Sequence, residues 1–404
     1  MKKIKVDICV AGGGMVGLTA CALLVKSGFK VCLVEPRHLE ETFHDKPSLT
    51  RVSAINLLSR RLFEQLSVWD KLSEPSFAPY YAMQLWDAEG QGQLSLDAST
   101  MGFDTLGHIA SNDALRAALW YQLKKDINFT YLEATQVQDL EHNDQSIFVS
   151  TTSNHRIVAE LLIAADGGRS FIRKHLNIST KETSYAQTAL VSLIHSEKPH
   201  KNIAYQRFMR SGPLAFLPTA DPHVSSIVWS QNNAIAQELL NLDKKAFIQR
   251  LEKAFENRLG TLKLDSELSQ FPLLKRHSER YQAQRVALIG DAKHSVHPMA
   301  GQGANLGFMD AAVLNEVISE CRRKTIDIGS QYTLRQYERR RKSDTLALLG
   351  MLDGIKWLFG TPHPLPTFAR NWGFSLLNRS TLLKKEILHV AMGLYGDTPH
   401  TLRP

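Results

Sequence analysis

Residues 290–311, GDAKHSVHPMAGQGANLGFMDA, place two aspartates, two histidines, a proline and four glycines directly after a short apolar run, VALI. His294 and His297 stand three residues apart, a spacing that invites a metal ion. No cysteine or further acid is arranged to complete the three or four protein ligands of a zinc site, so no metal is expected. A P-loop would need Gly-Lys-Ser/Thr after its glycines, and Ala304-Asn305 follows Gly303 instead. What remains is Asp291, an acceptor for sugar-type hydroxyls, and a helix opening near Gly303. The N-terminal N–H groups and dipole of that helix would face developing negative charge.

A second constellation lies near the N-terminus, where Gly12, Gly14 and Gly17 form G-x-G-x-x-G and Glu35 follows. The first glycine permits a tight turn, the second lets backbone approach a pyrophosphate, and the third lets helix pack on strand. The helix N-terminus supplies oriented N–H groups for phosphates, and an acid at this offset holds ribose hydroxyls. The unit does not separate FAD from NAD, although an acid at position 35 argues against a 2′-phosphate. Between these two motifs lies Ala165-Asp166-Gly167-Gly168-Arg169-Ser170, with Arg173 three residues on. Alone it reads as a turn after a buried strand.

The elements that must position these residues follow from hydrophobic period. Residues 4–11 read as a buried strand, 15–27 as a helix and 31–35 as a second strand, a βαβ unit with short connections. Residues 53–72 read as helical, and 111–125 as an amphipathic helix capped by Ser111 or Asn112. Further strands are expected at 156–165 and 286–290, and a helix at 301–320. Residues 76–106 and 183–275 are β-rich. The tail from 330 is mainly helical and broken at TPHPLP, residues 361–366. The spacing predicts an α/β fold in which a dinucleotide-type domain (1–75, 107–182 and 276–330) is interrupted by a β-rich one (76–106 and 183–275). A helical C-terminal region, 331–404, follows.

A chain of 404 residues with 43% hydrophobic and 22% charged residues suits two closely packed soluble domains. Cys9, Cys21, Cys32 and Cys321 show no CxxC spacing and suit a reducing compartment. The first residues imitate a signal peptide, but Asp7 and the glycine cluster fit a strand and turn better. No apolar run approaches the ~18 residues of a spanning helix, so the expectation is a cytoplasmic protein, peripheral to a membrane at most. The net charge is +8, and from Glu320 onward 14 Lys and Arg face 7 Asp and Glu. That excess suits either a solvated face or attraction to an anionic membrane or an acidic partner.

Taken together, Gly12 to Gly17 with Glu35, then Asp166-Gly167, then Gly290-Asp291 through Asp310 resemble the class A flavoprotein monooxygenases, the single-component aromatic hydroxylases. Within that group HPMAGQGANLGFMDA (297–311), RVSAINLLSRRLFEQLSVWDKL (51–72) and YERRRKSDTLALLGMLDGIKWLFG (337–360) resemble the ubiquinone-biosynthesis hydroxylases. The likeness is greatest to members that hydroxylate C5 of polyprenylphenols.

The resemblance implies a Rossmann-like FAD-binding domain, an interleaved β-rich substrate domain and a helical tail. Gly12, Gly14, Gly17 and Glu35 map to the ADP half of FAD, and Asp291 to the ribityl chain. The backbone around Pro298, Gly301, Gln302 and Gly303 maps to the isoalloxazine, with Asn305 beside it. Arg51 and either Asn112 or Arg116 match positions that approach the flavin; Arg51 reads equally well as a surface or ion-pair residue. Asp166 would support both FAD and NAD(P)H.

The implied chemistry is reduction of FAD by NAD(P)H, addition of O₂ to give a flavin C4a-hydroperoxide, and attack on an electron-rich phenol. No general base is assigned, and Pro298, Gly301, Gln302 and Gly303 are the flavin-facing candidates. The implied partners are a polyprenylphenol, other ubiquinone-biosynthesis proteins and, through residues 335–395, the inner face of a bacterial inner membrane; nucleic acid is not among them. Competing readings are a hydroxylase of a small soluble phenol, a non-catalytic FAD-binding subunit of a biosynthetic complex, and a reductase without O₂ chemistry. One position departs from the family, which commonly has Gly-Asp-Ala-Ala-His where this chain has Lys293. Lysine is rarely buried unpaired, so Lys293 is expected to point to solvent. The other reading is that its charge alters flavin potential or phosphate binding.

Overall fold

The apolar tetrads Ile8–Ala11, Val31–Val34 and Leu161–Ala164 are buried at every position, as parallel strands covered on both faces require. A computed structural model describes residues 1–39, 48–90, 92–297, 299, 301–361, 373, 377 and 380–402. In it these tetrads form a parallel sheet in the order Val286–Leu288, Leu161–Ala164, Ile8–Ala11, Val31–Val34, Phe129–Leu132. Gln282–Ala283 adds an antiparallel edge. Helices Met15–Lys26, Asn112–Leu123 and Gln302–Arg323 pack into one core with this sheet. Gly307 allows the closest approach, since a Cβ there would stand 2.6 Å from Val16 Cγ2. The expected α/β fold is borne out.

Two expected strands each divide in two. Residues 4–11 become Lys2–Lys5 and Ile8–Ala11, and 156–165 become His155–Ala159 and Leu161–Ala164. The outer halves pair with each other and with Ile147–Thr151 and Val137–His142 in a separate four-stranded sheet. The break falls at Asp7, whose carboxylate accepts from Lys30 N while its carbonyl accepts from Glu160 N.

The helix expected over 53–72 starts later. Val52–Asn56 is a strand, antiparallel to Gly107–Ser111, which also pairs Phe77–Tyr80. Asn56 ends the strand and caps the helix Leu57–Gln65, its Oδ1 accepting from Ser59 N at 2.9 Å. Polar side chains of this kind favour caps over helix interiors.

The β-rich segments form a nine-stranded sheet centred on Thr180–Ser196, which pairs antiparallel with Val224–Asn232 and Ser269–Ser278. Leu214–Pro218, Ile203–Phe208, Ala82–Asp87 and Gln93–Asp97 extend it on one side. His294–Ser295 extends it on the other, so the motif of residues 290–311 bridges both main sheets. One core of this sheet collects Phe216, Trp229, Phe247 and Phe255 under helices Asn233–Leu240 and Lys244–Ala254.

The tail helix Gln331–Gly360 stops just before the expected break; residues 362–366 lie outside the described residues. Helix Thr381–Ala391 follows. Phe359, Leu388 and Met392 pack with Tyr80, Leu94, Leu96 and Phe208, and the Phe208 and Phe359 rings stack at 4.2 Å. Among the described residues no helix is long and apolar enough to cross a membrane.

Candidate active site

A single cavity of about 960 Å³ runs from the glycine-rich turn to the tail helices. At its polar end the three glycines serve three different needs. Gly12 has φ +104°, and a Cβ there would lie 2.4 Å from Ala165 O. A Cβ on Gly17 would lie 1.9 Å from Gly12 O, so this glycine lets the helix meet the turn. Gly14 has no atom within 4 Å of its Cβ position and lines the cavity.

Glu35 lies beside this turn rather than on the cavity wall. It is 2% exposed, its Oε2 accepts from Gly13 N at 2.5 Å, and its Oε1 pairs with Arg37 Nε at 2.6 Å. Arg116, also buried, sits in the field of the same pair and bonds Asp113 at 3.5 Å. Burial, then the Arg37 charge, pull its guanidinium below the usual range.

The opposite wall is built from the turn Gly290–Ala292 and the N-terminus of helix Gln302–Arg323. Asp291 lines the cavity, and the protein crowded around it raises its carboxyl. Gly301, in the left-handed region at φ +61°, is the N-cap and offers no side-chain cap; Gln302 and Gly303 continue the wall. Asn305 lies one turn deeper and is buried. It donates to Ala54 O at 2.7 Å and Gly301 O at 3.0 Å and accepts from Asn56 N at 3.2 Å. It therefore clamps the strand Val52–Asn56 to this helix. Pro298 lies outside the described residues.

Asp166 caps the short helix Phe171–His175 from behind the wall, its Oδ2 accepting from Ile172 N at 3.2 Å, and burial raises its carboxyl. Its neighbours Ala165 and Gly167 line the cavity. Arg173 joins the two later motifs, donating to Ala292 O at 2.7 Å and Gly168 O at 2.9 Å. Asn112 accepts from Ser53 Oγ at 2.7 Å, and Ser53 is the wall residue. Arg51 is exposed, its guanidinium 4.7 Å from the centre of the Phe271 ring. The cavity thus gathers Gly14, Gly17, Asp291, Gly301, Gln302 and Gly303, while the remaining described candidates stand beside or behind its wall.

Beyond this polar end the cavity is apolar. Alternate residues of the large sheet face it, among them Met83 and Leu85, Leu94 and Leu96, and Ala204 and Phe208. Ile355, Leu358 and Phe359 from one tail helix and Ile387 and Val390 from the other close it. None of these was singled out from sequence. The period-2 alternation along each strand was the available signal.

Lys293 does not reach solvent. It is 0% exposed, with Nζ 2.5 Å from Asp310 Oδ1 and 4.3 Å from the centre of the Tyr281 ring. The solvent-facing expectation is corrected, because Asp310, seventeen residues on, supplies a buried partner. Burial pulls the Lys293 ammonium down to about 8. His294 bonds Asp310 Oδ2 at 2.9 Å. His297 accepts from Met299 N on Nδ1 at 3.1 Å, which leaves Nε2–H to donate to Gln187 Oε1 at 3.2 Å. Burial holds it neutral, at about 4. Among the described residues no group of three or more His, Cys, Asp or Glu side chains could hold a metal ion.

Two helix N-termini, each capped by a glycine without a side-chain bond, therefore face one cavity whose far end is apolar. The open space at Gly14 admits a phosphate close to backbone, and the free N–H groups suit its charge. The arrangement fits FAD.

The wider likenesses agree. The chain matches the FAD binding domain family over residues 5–348. It is 33% identical over 437 residues to the ubiquinone biosynthesis monooxygenase COQ6 of Danio rerio, covering 95% of this chain and 89% of that protein. With 3-demethoxyubiquinol 3-hydroxylase of Escherichia coli K12 it shares 31% over 388 residues, covering 96% and 98%. The crystal structure of p-nitrophenol 4-monooxygenase PnpA from Pseudomonas putida DLL-E4 has the same fold, with a TM-score of 0.78 at 18% identity over 98% of this chain and 99% of that one. The chain belongs to the class A flavoprotein monooxygenases, FAD-dependent enzymes, in their ubiquinone-biosynthesis branch.

Proposed function

We propose that this monooxygenase hydroxylates the ring of a polyprenylphenol intermediate of ubiquinone biosynthesis, at the C5 position, using NAD(P)H and O₂. The observation that carries the reading is the continuity of the cavity from the glycine-rich turn into the apolar chamber under the tail helices. A phenol ring placed beside Gly301–Gly303 would have its prenyl tail between Leu85, Leu94, Phe208 and Phe359. Each buried CH₂ of that tail contributes about 0.8 kcal/mol, and a small soluble phenol would leave the chamber unfilled.

Bound FAD supplies the redox chemistry, taking electrons from NAD(P)H and passing one oxygen atom of O₂ to the ring. The chain's own residues bind, orient and exclude water. Gly12, Gly14 and Gly17 with the N-terminus of Met15–Lys26 would hold the pyrophosphate, and Glu35, beside the turn, would hold ribose hydroxyls on the lone pairs that Gly13 N and Arg37 leave free. Asp291 holds the ribityl chain. The N–H groups at Gln302 and Gly303 would offer a positive dipole to the negative charge that a bound flavin gains on reduction. Apolar side chains around the substrate ring keep water from the reacting atoms.

The tail helices Gln331–Gly360 and Thr381–Ala391 carry exposed apolar residues, Trp357 at 62% and Leu382 at 78%, close in sequence to Lys356, Lys384 and Lys385. This supports docking on an anionic bilayer, from which a prenylated substrate would enter. Flotation with anionic liposomes tests it: equal recovery of wild type and a Trp357→Ser/Leu382→Ser variant would count against it. For the main reading, a prenylphenol should accelerate NAD(P)H oxidation and yield a product heavier by one oxygen atom. Equal or greater acceleration by a hydroxybenzoate would favour the small-phenol reading.

A further inference from the structure

The polar cluster behind the Asp291 turn converges on one carboxylate. Asp310, 0% exposed, accepts on Oδ1 from Lys293 Nζ at 2.5 Å and Arg341 Nε at 2.9 Å. On Oδ2 it accepts from Gly290 N at 3.1 Å and His294 Nε2 at 2.9 Å. Arg341 reaches on to Asp344 at 3.0 Å. With His294 neutral the charges balance, two cations against two anions. Behind Lys293 stand the rings of Tyr281 and Tyr337, at 4.3 and 5.8 Å.

This carboxylate ties together three pieces of the cavity wall. It belongs to helix Gln302–Arg323, whose first turn lines the polar end. Through Gly290 N it holds the turn whose next residue is Asp291. Through Arg341 it holds helix Gln331–Gly360, whose later turns supply Ile355, Leu358 and Phe359 to the apolar end. Lys293 is itself part of the turn, its N–H donating to Gly290 O at 2.9 Å and its carbonyl accepting from Ser278 N at 2.9 Å.

We infer that Lys293 is a positioning residue of the flavin site, holding the Gly290–Ala292 turn against the two helices through its ion pair with Asp310. The inference rests on the reading of the cavity as the flavin site. Removing the ammonium leaves Asp310 and Asp344 facing Arg341 alone, an uncompensated buried negative charge. Its nearest relief is protonation of His294, yet His294 Nδ1 has no hydrogen-bond partner among the described residues to receive the new N–H. With Arg341 as its one remaining cation the carboxylate shifts toward that side chain, and Gly290 and Asp291 move with it. Neutralising both partners removes the imbalance and leaves an asparagine oxygen for Gly290 N.

The test uses apoprotein reconstituted with FAD, with the dissociation constant read from quenching of flavin fluorescence and the geometry from visible circular dichroism of the bound flavin. Lys293→Met, close to isosteric, is expected to weaken FAD binding at least 10-fold and change the visible spectrum. Asp310→Asn is expected to do likewise, and Lys293→Met/Asp310→Asn to return to within about 3-fold of wild type. Unchanged affinity and spectrum in Lys293→Met, with only a lower melting temperature, would overturn the inference. So would a double variant as weak as the two singles combined. Should Lys293→Met not fold, Asp310→Asn reads the same pair from its other side. Failure of wild-type apoprotein to take up FAD at all would instead sink the flavin reading of the cavity.

Discussion

Substituting two of the three glycines in the turn separates what the fold needs from what the ligand needs. Gly14 is the N-cap of Met15–Lys26 at φ −70° and ψ 176°, ordinary extended backbone, with nothing within 4 Å of its Cβ position. Alanine there costs something as a poorer cap, up to about 1 kcal/mol. It recovers a similar ~0.4–1 kcal/mol by restricting the unfolded chain. The apoprotein of Gly14→Ala should thus unfold within about 1 kcal/mol of wild type.

The methyl instead occupies the space where a phosphate meets backbone N–H groups. A hydrogen bond to a charged group contributes roughly 1.5–3 kcal/mol, so losing one predicts FAD affinity lower by roughly 10- to 100-fold. Urea unfolding of apoprotein and fluorescence titration with FAD read the two quantities separately. Gly17→Ala is the contrast, because its Cβ would lie 1.9 Å from Gly12 O. It should destabilise the apoprotein itself by 3 kcal/mol or more, the upper end of overpacking costs, which run to about 3 kcal/mol and beyond. Wild-type FAD affinity in Gly14→Ala would refute the assignment of that space to the cofactor.

Three further outcomes are expected. Leu85→Glu, on the apolar wall, should raise the dissociation constant of a prenylphenol at least 10-fold, about 1.4 kcal/mol, with FAD affinity unchanged; weakened FAD binding instead would mean the chamber and cofactor site are not separable. Asn305→Ala should cost about 2–4 kcal/mol in urea unfolding, since it strips partners from Asn56 N, Ala54 O and Gly301 O; an unchanged midpoint would show that the clamp is idle. His108 and His297 are both held neutral by burial, at about 4. Their folded values lie below the unfolded one, so their contribution is present above pH ~6.5 and lost as pH falls toward 4, at most about 3 kcal/mol each. A urea midpoint that does not fall between pH 7 and 5, or falls as steeply in His297→Gln, would contradict this.

The glycine turn and its strand–helix–strand frame were legible because each residue acts on its immediate neighbours. Gly12, Gly17 and the buried tetrads meet local demands of turn, helix and sheet. Residues 53–56 were misread because Ile55 fits both a helical and an alternating period, and only pairing with Gly107–Ser111 decides between them. Lys293 was misread for a related reason. Residue type favours solvent, whereas its partner Asp310, and Arg341 that shares this carboxylate, come from two other elements. The chamber shows as alternating strands, but which face becomes a wall depends on how Ala82–Asp87 joins Ile203–Phe208 far along the chain.

How the helices begin ties these parts together. Leu57–Gln65, Asn112–Leu123, Lys244–Ala254, Gln331–Gly360 and Thr381–Ala391 each start on an Asn, Ser or Asp whose side chain accepts from the first turn. Met15–Lys26 and Gln302–Arg323 start on glycine and have no such bond, and theirs are the first turns that line the cavity. Asn233–Leu240 also lacks a side-chain cap, but Asn233, Ala234 and Ile235 of its first turn are exposed, where water satisfies the N–H groups. A capping side chain would compete with a ligand for the same N–H groups, so glycine leaves them free. Such an open end is weak unless it is held elsewhere. Asn305 holds the second helix to the strand Val52–Asn56, and Asp310 holds it to the Asp291 turn. On the proposed reading, the donors these two ends leave free are fixed in place before the cofactor arrives, which spares binding the cost of ordering them.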